Sequence, residues 1–308
     1  MLSPVNPVAS RLIMGGHRVP SDVRLDGQTA IVTGANAGIG LETARGLYER
    51  GARVLLAVRS VSRGEAARAQ LERQAAGAAP PAGSLHVMQL DLASLASVRA
   101  FAERINREEA RLDLLINNAG LVLDERTETQ DGFETTFGVN HLGHFLLTML
   151  LLNKLKASTP SRVVVLSSAA HKRGRIEFDD LQLTRGYSLW KSYSQSKLAN
   201  LLFARELSRR LSSTGVTVYA VHPGVVRTPI WANAPAWQRC FLVFLKPFFK
   251  SAASGAETSL FCAMSPKAAT ESGKYYVDCK EKEVAPAARK DADAARLWEI
   301  SEKLVGLA

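Results

Sequence analysis

The chain has 308 residues, 46% of them apolar, with 39 Lys and Arg against 29 Asp and Glu and a net charge of +10. That is enough apolar material for one large α/β domain. The basic residues alternate with acids, as in ARGLYERGAR and AERINREEARLD, without an aromatic-studded basic stripe, so nucleic acid is not expected as a partner and phosphate-bearing small molecules or acidic lipid heads are.

Cys240, Cys262 and Cys279 are odd in number and lack metal-ligand spacing, which predicts free thiols, a reducing compartment and no metal site. No stretch approaches the roughly 20 apolar residues of a membrane-spanning helix. The first 24 residues hold Pro4, Pro7, Pro20 and the pair Gly15-Gly16 without an apolar block. They read as an extension rather than a secretory signal, ahead of a single domain over 25–308.

In chain order, TAIVT (29–33) reads as a buried strand and Gly38 to Arg50 as a helix. RVLLAV (53–58) is a second strand, 62–76 a second helix and GAAPPAG (77–83) a loop. LHVMQL (85–90), a helix over 94–109, LDLLIN (112–117) and a long helix within 132–157 continue the alternation. RVVVLS (162–167), a helix carrying Tyr193 and VTVYAV (216–221) complete it, before an irregular, aromatic-rich excursion over 229–255. Strands that are apolar throughout are buried on both faces. Repeated strand–helix–strand units imply a doubly wound parallel sheet of Rossmann type, with ligands at the carboxyl ends of its strands.

TGANAGIG (33–40) joins the first strand to the first helix, with Gly34, Gly38 and Gly40 spaced G-x-x-x-G-x-G. A side-chain-free backbone there lets a pyrophosphate approach the helix N-terminus, so Asn36 and Ile39 are candidate cofactor contacts along with the glycines. The second strand ends in Val58-Arg59, where a dinucleotide fold commonly places an acid against the adenosine ribose. An arginine instead suits a 2′-phosphate, and Arg63 lies within reach, so the pattern points to NADP(H) rather than NAD. Further polar groups fall at strand ends or facing them: Asn117, Asn118 and Gly120 in NNAG, Asn140 in FGVNHLGHF, Ser167 and Ser168 in VVVLSS, and HPGVVRT (222–228). In SYSQSKLAN (192–200), Tyr193 and Lys197 stand one helical turn apart, either as a tuned acid/base or as an ordinary surface pair.

TGANAGIG, NNAG, the asparagine of GVNHLGHF, LSS, YSQSK and HPGVVRT together resemble the short-chain dehydrogenase/reductase superfamily over roughly 26–280. DLASLASVRAF, DGFETTFGVNHLGHFLLT, FDDL, SKLANLLFARELSRRL and SGKYYVDCKEKEVAP make the chain most similar to its retinol dehydrogenase group. The resemblance implies a catalytic tetrad of Asn140, Ser168, Tyr193 and Lys197. Tyr193 would exchange a proton with the substrate oxygen, Ser168 would orient that oxygen, and Lys197 would lower the Tyr193 pKa and bind the nicotinamide ribose. Asn140 would hold a water linking Lys197 to solvent. Asp91 would contact adenine, Asn118 the ribose region, and Val226 and Thr228 the carboxamide end. Trp190 and Trp231 are the candidate substrate contacts beside Ser168.

The expected activity is an NADP(H)-dependent interconversion of an apolar aldehyde or ketone with its alcohol, the substrate being a retinoid or lipid aldehyde. A non-catalytic cofactor sensor conflicts with the intact tetrad, and an NAD-linked hydroxysteroid dehydrogenase with Val58-Arg59. The group's usual apolar N-terminal anchor is not seen here. Trp237, Phe241, Phe244, Phe248 and Phe249, with Lys246 and Lys250, either lie on a membrane interface or close the substrate pocket as a lid. The expected location is the cytoplasm, with peripheral attachment to the endoplasmic reticulum or mitochondrion. The helices over 132–157 and 191–213 are surfaces the family often uses to form homodimers. Between Ser168 and Tyr193 lie 24 residues, among them Phe178, Tyr187 and Trp190, which cover an apolar substrate or pack as local core.

Overall fold

The computed structural model describes residues 19–20, 22–77, 82–226 and 250–308. Six strands, β1 (Thr29–Thr33), β2 (Arg53–Val58), β3 (Ser84–Gln89), β4 (Leu114–Asn117), β5 (Ser161–Leu166) and β6 (Val216–His222), form the parallel sheet that the apolar runs predict. To these the structure adds β7 (Lys274–Val277), parallel to β6, and a two-residue β8 (Lys280–Glu281), antiparallel to β7. The order β3-β2-β1-β4-β5-β6-β7-β8 reverses direction between β1 and β4, the crevice where such sheets hold ligands.

The uniform apolarity of the strands follows from their two-sided burial. Ile31, Leu55, Leu115, Val163 and Val218 enter one core layer, whereas Ala30, Val32, Val54, Leu56, Ile116 and Val164 enter the other. The first layer is covered by α3 (Leu95–Glu108), α4 (Thr135–Ala157), α5 (Leu189–Arg210) and α7 (Asp291–Leu304). The second is covered by α1 (Gly38–Tyr48), α2 (Val61–Ala75) and α6 (Ala252–Met264). Serines at the starts of α2, α3, α5 and α6 accept a backbone N–H from the first turn: Ser60, Ser94, Ser188 and Ser251. α1 has no such side-chain cap.

The structure revises the expected excursion at its far end, since α6 begins at Ala252 rather than after 255; residues 227–249 lie outside the described residues. α4 is long and apolar enough to cross a membrane, but 78% of its most apolar window is buried inside the protein, where it serves as a core helix. The two described cysteines, Cys262 and Cys279, are free and buried. No group of metal ligands occurs among the described residues.

α4 is not regular. Gly138–Leu142 form a wide π-type turn, closed by the Gly143 N–H bonding the Gly138 carbonyl. Such bulges redirect a helix by one residue and occur often at functional sites. Here the turn carries Asn140 and brings Gly143 against the chain after β3, where an added Cβ would stand 2.5 Å from the Leu92 carbonyl oxygen. Gly143→Ala is therefore expected to cost about 1–3 kcal/mol, the usual scale of overpacking. A lowered denaturant midpoint would show it, and an unchanged midpoint would mean that the Leu92 loop yields freely.

Candidate active site

The carboxyl ends of β1, β2, β4, β5 and β6 open into one cavity of about 890 Å³. After Thr33 the chain turns at Gly34, with φ +67, and a Cβ there would approach Ala119 to 3.1 Å. A Cβ on Gly40 would lie 2.4 Å from the Gly34 carbonyl oxygen, so the first turn of α1 folds back on the loop only without side chains. The helix N-terminus, uncapped by any side chain, presents its N–H groups and dipole beside this turn. Arg59 and Arg63 line the same cavity from the end of β2 and the start of α2. This cradle fits a dinucleotide pyrophosphate, and the arginines fit an additional phosphate on its adenosine.

A buried hydroxyl sets the cradle's other wall. Thr33 Oγ1 accepts the N–H groups of Asn118 and Ala119, each at 2.9 Å, while Asn118 Nδ2 donates to the Thr33 carbonyl at 2.7 Å. With both lone pairs engaged, the Thr33 hydroxyl gives its proton to His144 Nε2 at 2.8 Å rather than to the Ile116 carbonyl at 3.4 Å. His144 then carries its own proton on Nδ1 and donates it to the Asn140 carbonyl at 3.1 Å. Burial holds this imidazole neutral, its pKa lowered to about 4.

Asn140 is spent on the protein. Its Oδ1 accepts from the Leu121 N–H and its Nδ2 donates to the Leu121 carbonyl, both at 2.9 Å, and also to Ser196 Oγ at 3.0 Å. These bonds staple the loop after β4 to α4 and α5. The side chain lies behind the cavity wall rather than in it.

Tyr193 and Lys197 are both buried on α5, so the surface-pair alternative falls. Lys197 Nζ sits 5.6 Å from the Tyr193 ring centre and donates to the Leu166 carbonyl at 3.2 Å. The net shift of the Tyr193 pKa is upward, burial outweighing what lowers it. Burial raises the phenol's pKa, and the Ser168 hydroxyl hydrogen-bonded to it supplies the opposing influence. Burial also pushes Lys197 down to about 8.

Ser168 starts the short helical turn Ala169–Arg173, accepting the Ala170 N–H at 3.2 Å. Its carbonyl receives a hydrogen bond from His171 Nδ1 at 2.7 Å, and His171 Nε2 accepts the Ala285 N–H at 3.3 Å. His171 thus ties the serine's loop to the segment that follows β8. Neither His144 nor His171 stands out in the sequence, because each is defined by a partner more than 100 residues away.

Of the residues predicted for the site, Gly34, Asn36, Gly38, Ile39, Gly40, Arg59, Arg63, Asp91, Asn118, Gly120, Ser168, Trp190, Tyr193, Lys197 and Val226 all line the cavity. Thr228 and Trp231 lie outside the described residues, as do Trp237 to Phe249. One Asp91 oxygen accepts the Ala93 N–H at 3.0 Å. In the segment before α5, the partly buried Phe178 packs against the core under Arg296 at 4.2 Å and the Tyr187 hydroxyl donates to the Leu123 carbonyl at 2.9 Å; neither lines the cavity. Trp190, 50% exposed, faces the cavity.

Residues 28–239 match the family described as short chain dehydrogenase. Mouse (Mus musculus) retinol dehydrogenase 12 is 49% identical over 96% of this chain and 92% of its own length. An uncharacterized protein of Mycobacterium paratuberculosis superposes with a TM-score of 0.76 at 37% identity, over 94% of this chain and 98% of its own. The RhlG/NADP active-site complex of Pseudomonas aeruginosa superposes with a TM-score of 0.63 at 26% identity, over 82% and 95%.

The lysine makes a stability prediction with a definite sign. An unfolded chain keeps the Lys197 proton up to the ordinary value of 10.5, whereas the folded protein holds it only to about 8. Below that lower value the native state bears the whole cost of the buried ammonium, roughly 3 kcal/mol, and the cost fades as pH climbs toward the upper one. Lys197→Met leaves the Leu166 carbonyl its bond from Asn200 Nδ2 at 2.9 Å. The variant is expected to be more stable than wild type at neutral pH, by an amount that shrinks at about pH 9.5. Denaturant titrations at the two pH values check this, and a variant less stable at both would refute it.

Proposed function

The chain belongs to the short chain dehydrogenase family, within its retinol dehydrogenase group, and from that premise we propose that it is an NADP(H)-dependent reductase of apolar aldehydes or ketones. The observation that carries the proposal is the shared cavity wall: the Tyr193 phenol, the Ser168 hydroxyl and the Lys197 ammonium meet at one end, with Arg59 and Arg63 at the other. In the cofactor's place, the glycine turn would receive the pyrophosphate and the two arginines the 2′-phosphate. When bound, the nicotinamide supplies a hydride.

The protein's own part is proton management. A phenol is protonated at neutral pH and burial raises the Tyr193 pKa further, which suits a proton donor to a carbonyl oxygen. Ser168, hydrogen-bonded to that phenol, is placed to bond the same oxygen and fix its orientation. Lys197, charged below about pH 8, supplies the field that stabilises a phenolate once its proton has left. Val122, Leu121 and Trp190 give the substrate side an apolar wall, in keeping with the name of the retinol dehydrogenase relative.

Oxidation of NADPH and NADH, followed side by side with a panel of aldehydes and ketones, tests the activity. Tyr193→Phe removes one hydroxyl and little volume, so the protein should fold while turnover falls at least about a hundredfold. Near wild-type turnover in that variant would remove Tyr193 from the chemistry. Arg59→Asp sets a like charge against the 2′-phosphate, a change that costs a few kcal/mol in comparable pairs. NADPH should weaken strongly while NADH changes little; equal losses for both would assign Arg59 to folding instead.

A further inference from the structure

The cavity has a second pair of cations that the reading above does not use. Lys172 and Arg173 line it from the helical turn that begins at Ser168, and both side chains are exposed. They stand apart from Arg59 and Arg63. In the sheet, β1 and β4 separate β2 from β5, three strand spacings or about 14 Å. The reacting groups Ser168 and Tyr193 lie on the Lys172 side of that span.

The pair also lacks counter-charges. The neighbouring acids are taken by other bases: Glu177 by Arg175 and Lys191, Asp180 by Arg185, and Asp179 by Arg296. Asp278, which like Lys172 acts on His222, pairs with Lys250. Neither Lys172 nor Arg173 has an ion pair among the described residues, and the remaining segments of the chain contain no Asp or Glu. Within the cavity lining the sole acid is Asp91, at the opposite end after β3. A cavity that places two uncompensated cations past its reacting groups, across an apolar wall with Trp190 and Val225, fits one kind of substrate better than a neutral hydrocarbon.

Resting on the reductase reading, we infer that Lys172 and Arg173 select carbonyl compounds that carry a carboxylate at the end remote from the carbonyl, ω-oxo fatty acids being the simplest class. The spacing is right for medium-length chains. Four residues of tight helix rise about 2 Å each, setting Lys172 about 8 Å along from Ser168 before its side chain extends. The chemistry is unchanged by the tail. The aldehyde carbon gains a hydride and its oxygen a proton, NADPH becomes NADP⁺, and the carboxylate passes through intact. Because the cations are exposed, the selection is a moderate, salt-sensitive one.

The test compares the semialdehyde of azelaic acid with its methyl ester, two aldehydes of equal chain length that differ in charge. Wild-type enzyme with NADPH should favour the acid by about tenfold in kcat/KM, less so as salt is raised. In Lys172→Gln/Arg173→Gln the acid-to-ester ratio should fall to about one. A ratio taken within one preparation cancels any loss of folded protein. Arg175→Gln, a neighbouring base outside the cavity lining, should keep the wild-type ratio. Equal use of acid and ester by the wild type, or an unchanged ratio in the double variant, overturns the inference. So does a double variant that loses only its binding to phosphatidylserine vesicles, which would assign the pair to a membrane surface. If neither aldehyde is turned over, the reductase reading fails by itself. Calorimetric binding of the acid to the NADPH complex then decides the inference: preference over the ester sustains it, and equal binding ends it.

Discussion

The hydroxyl of Thr33 is the small group on which the site's geometry depends. It holds the ends of β1 and β4 together through two backbone N–H groups, and its own proton reaches α4 through His144. The carbonyl held by that histidine belongs to Asn140, whose side chain secures the next loop to α4 and α5. The glycine turn and the helix that carries Tyr193 and Lys197 are therefore parts of one hydrogen-bonded frame. Such a frame is valuable because its groups are buried: unpaired, each would cost free energy, and paired, each fixes an orientation.

α5 shows how that frame tolerates so much polarity inside the protein. Ser192, Gln195, Ser196, Lys197 and Asn200 are all buried, and each has an identified partner: Tyr187 for Ser192, the Leu181 carbonyl for Gln195, Asn140 for Ser196, and the Leu166 carbonyl for the last two. The helix is anchored along its length by bonds rather than by apolar packing alone. Only the ammonium is held at a net loss, since a single carbonyl bond does not replace its water.

Much of this was legible in the sequence because the governing chemistry is local. Uniformly apolar strands, the glycine turn and Val58-Arg59 each state their requirement within a few residues, and Asn118, Ser167, Ser168 and His222 at the strand ends do line one cavity, whereas Asn117 and Asn140 are buried outside its lining. Elements past β6 were harder to read. α6, in AASGAETSLFCAM, is small and apolar nearly all round and shows little helical period, while β7 and β8 are too short to alternate. Nor does periodicity reveal the π-type turn in α4, which shifts the helix by one residue without changing its composition. The Tyr193–Lys197 spacing suggested a lowered phenol pKa; burial reverses the sign, and burial is a property of the assembled fold.

His171 links the Ser168 loop to a late segment of the chain in a way that bears on how the protein is made. Synthesis runs from the N-terminus, so the dinucleotide cradle, α4 and α5 emerge well before Ala285. Until that residue arrives, His171 Nε2 lacks its backbone donor, and the loop after β5 lacks the brace that the finished protein gives it. A nascent chain can hence assemble its glycine turn and first strands before the Ser168 loop gains its brace. The order in which residues leave the ribosome thus puts the glycine turn ahead of the finished Ser168 loop, which is braced only when the segment after β8 returns to it.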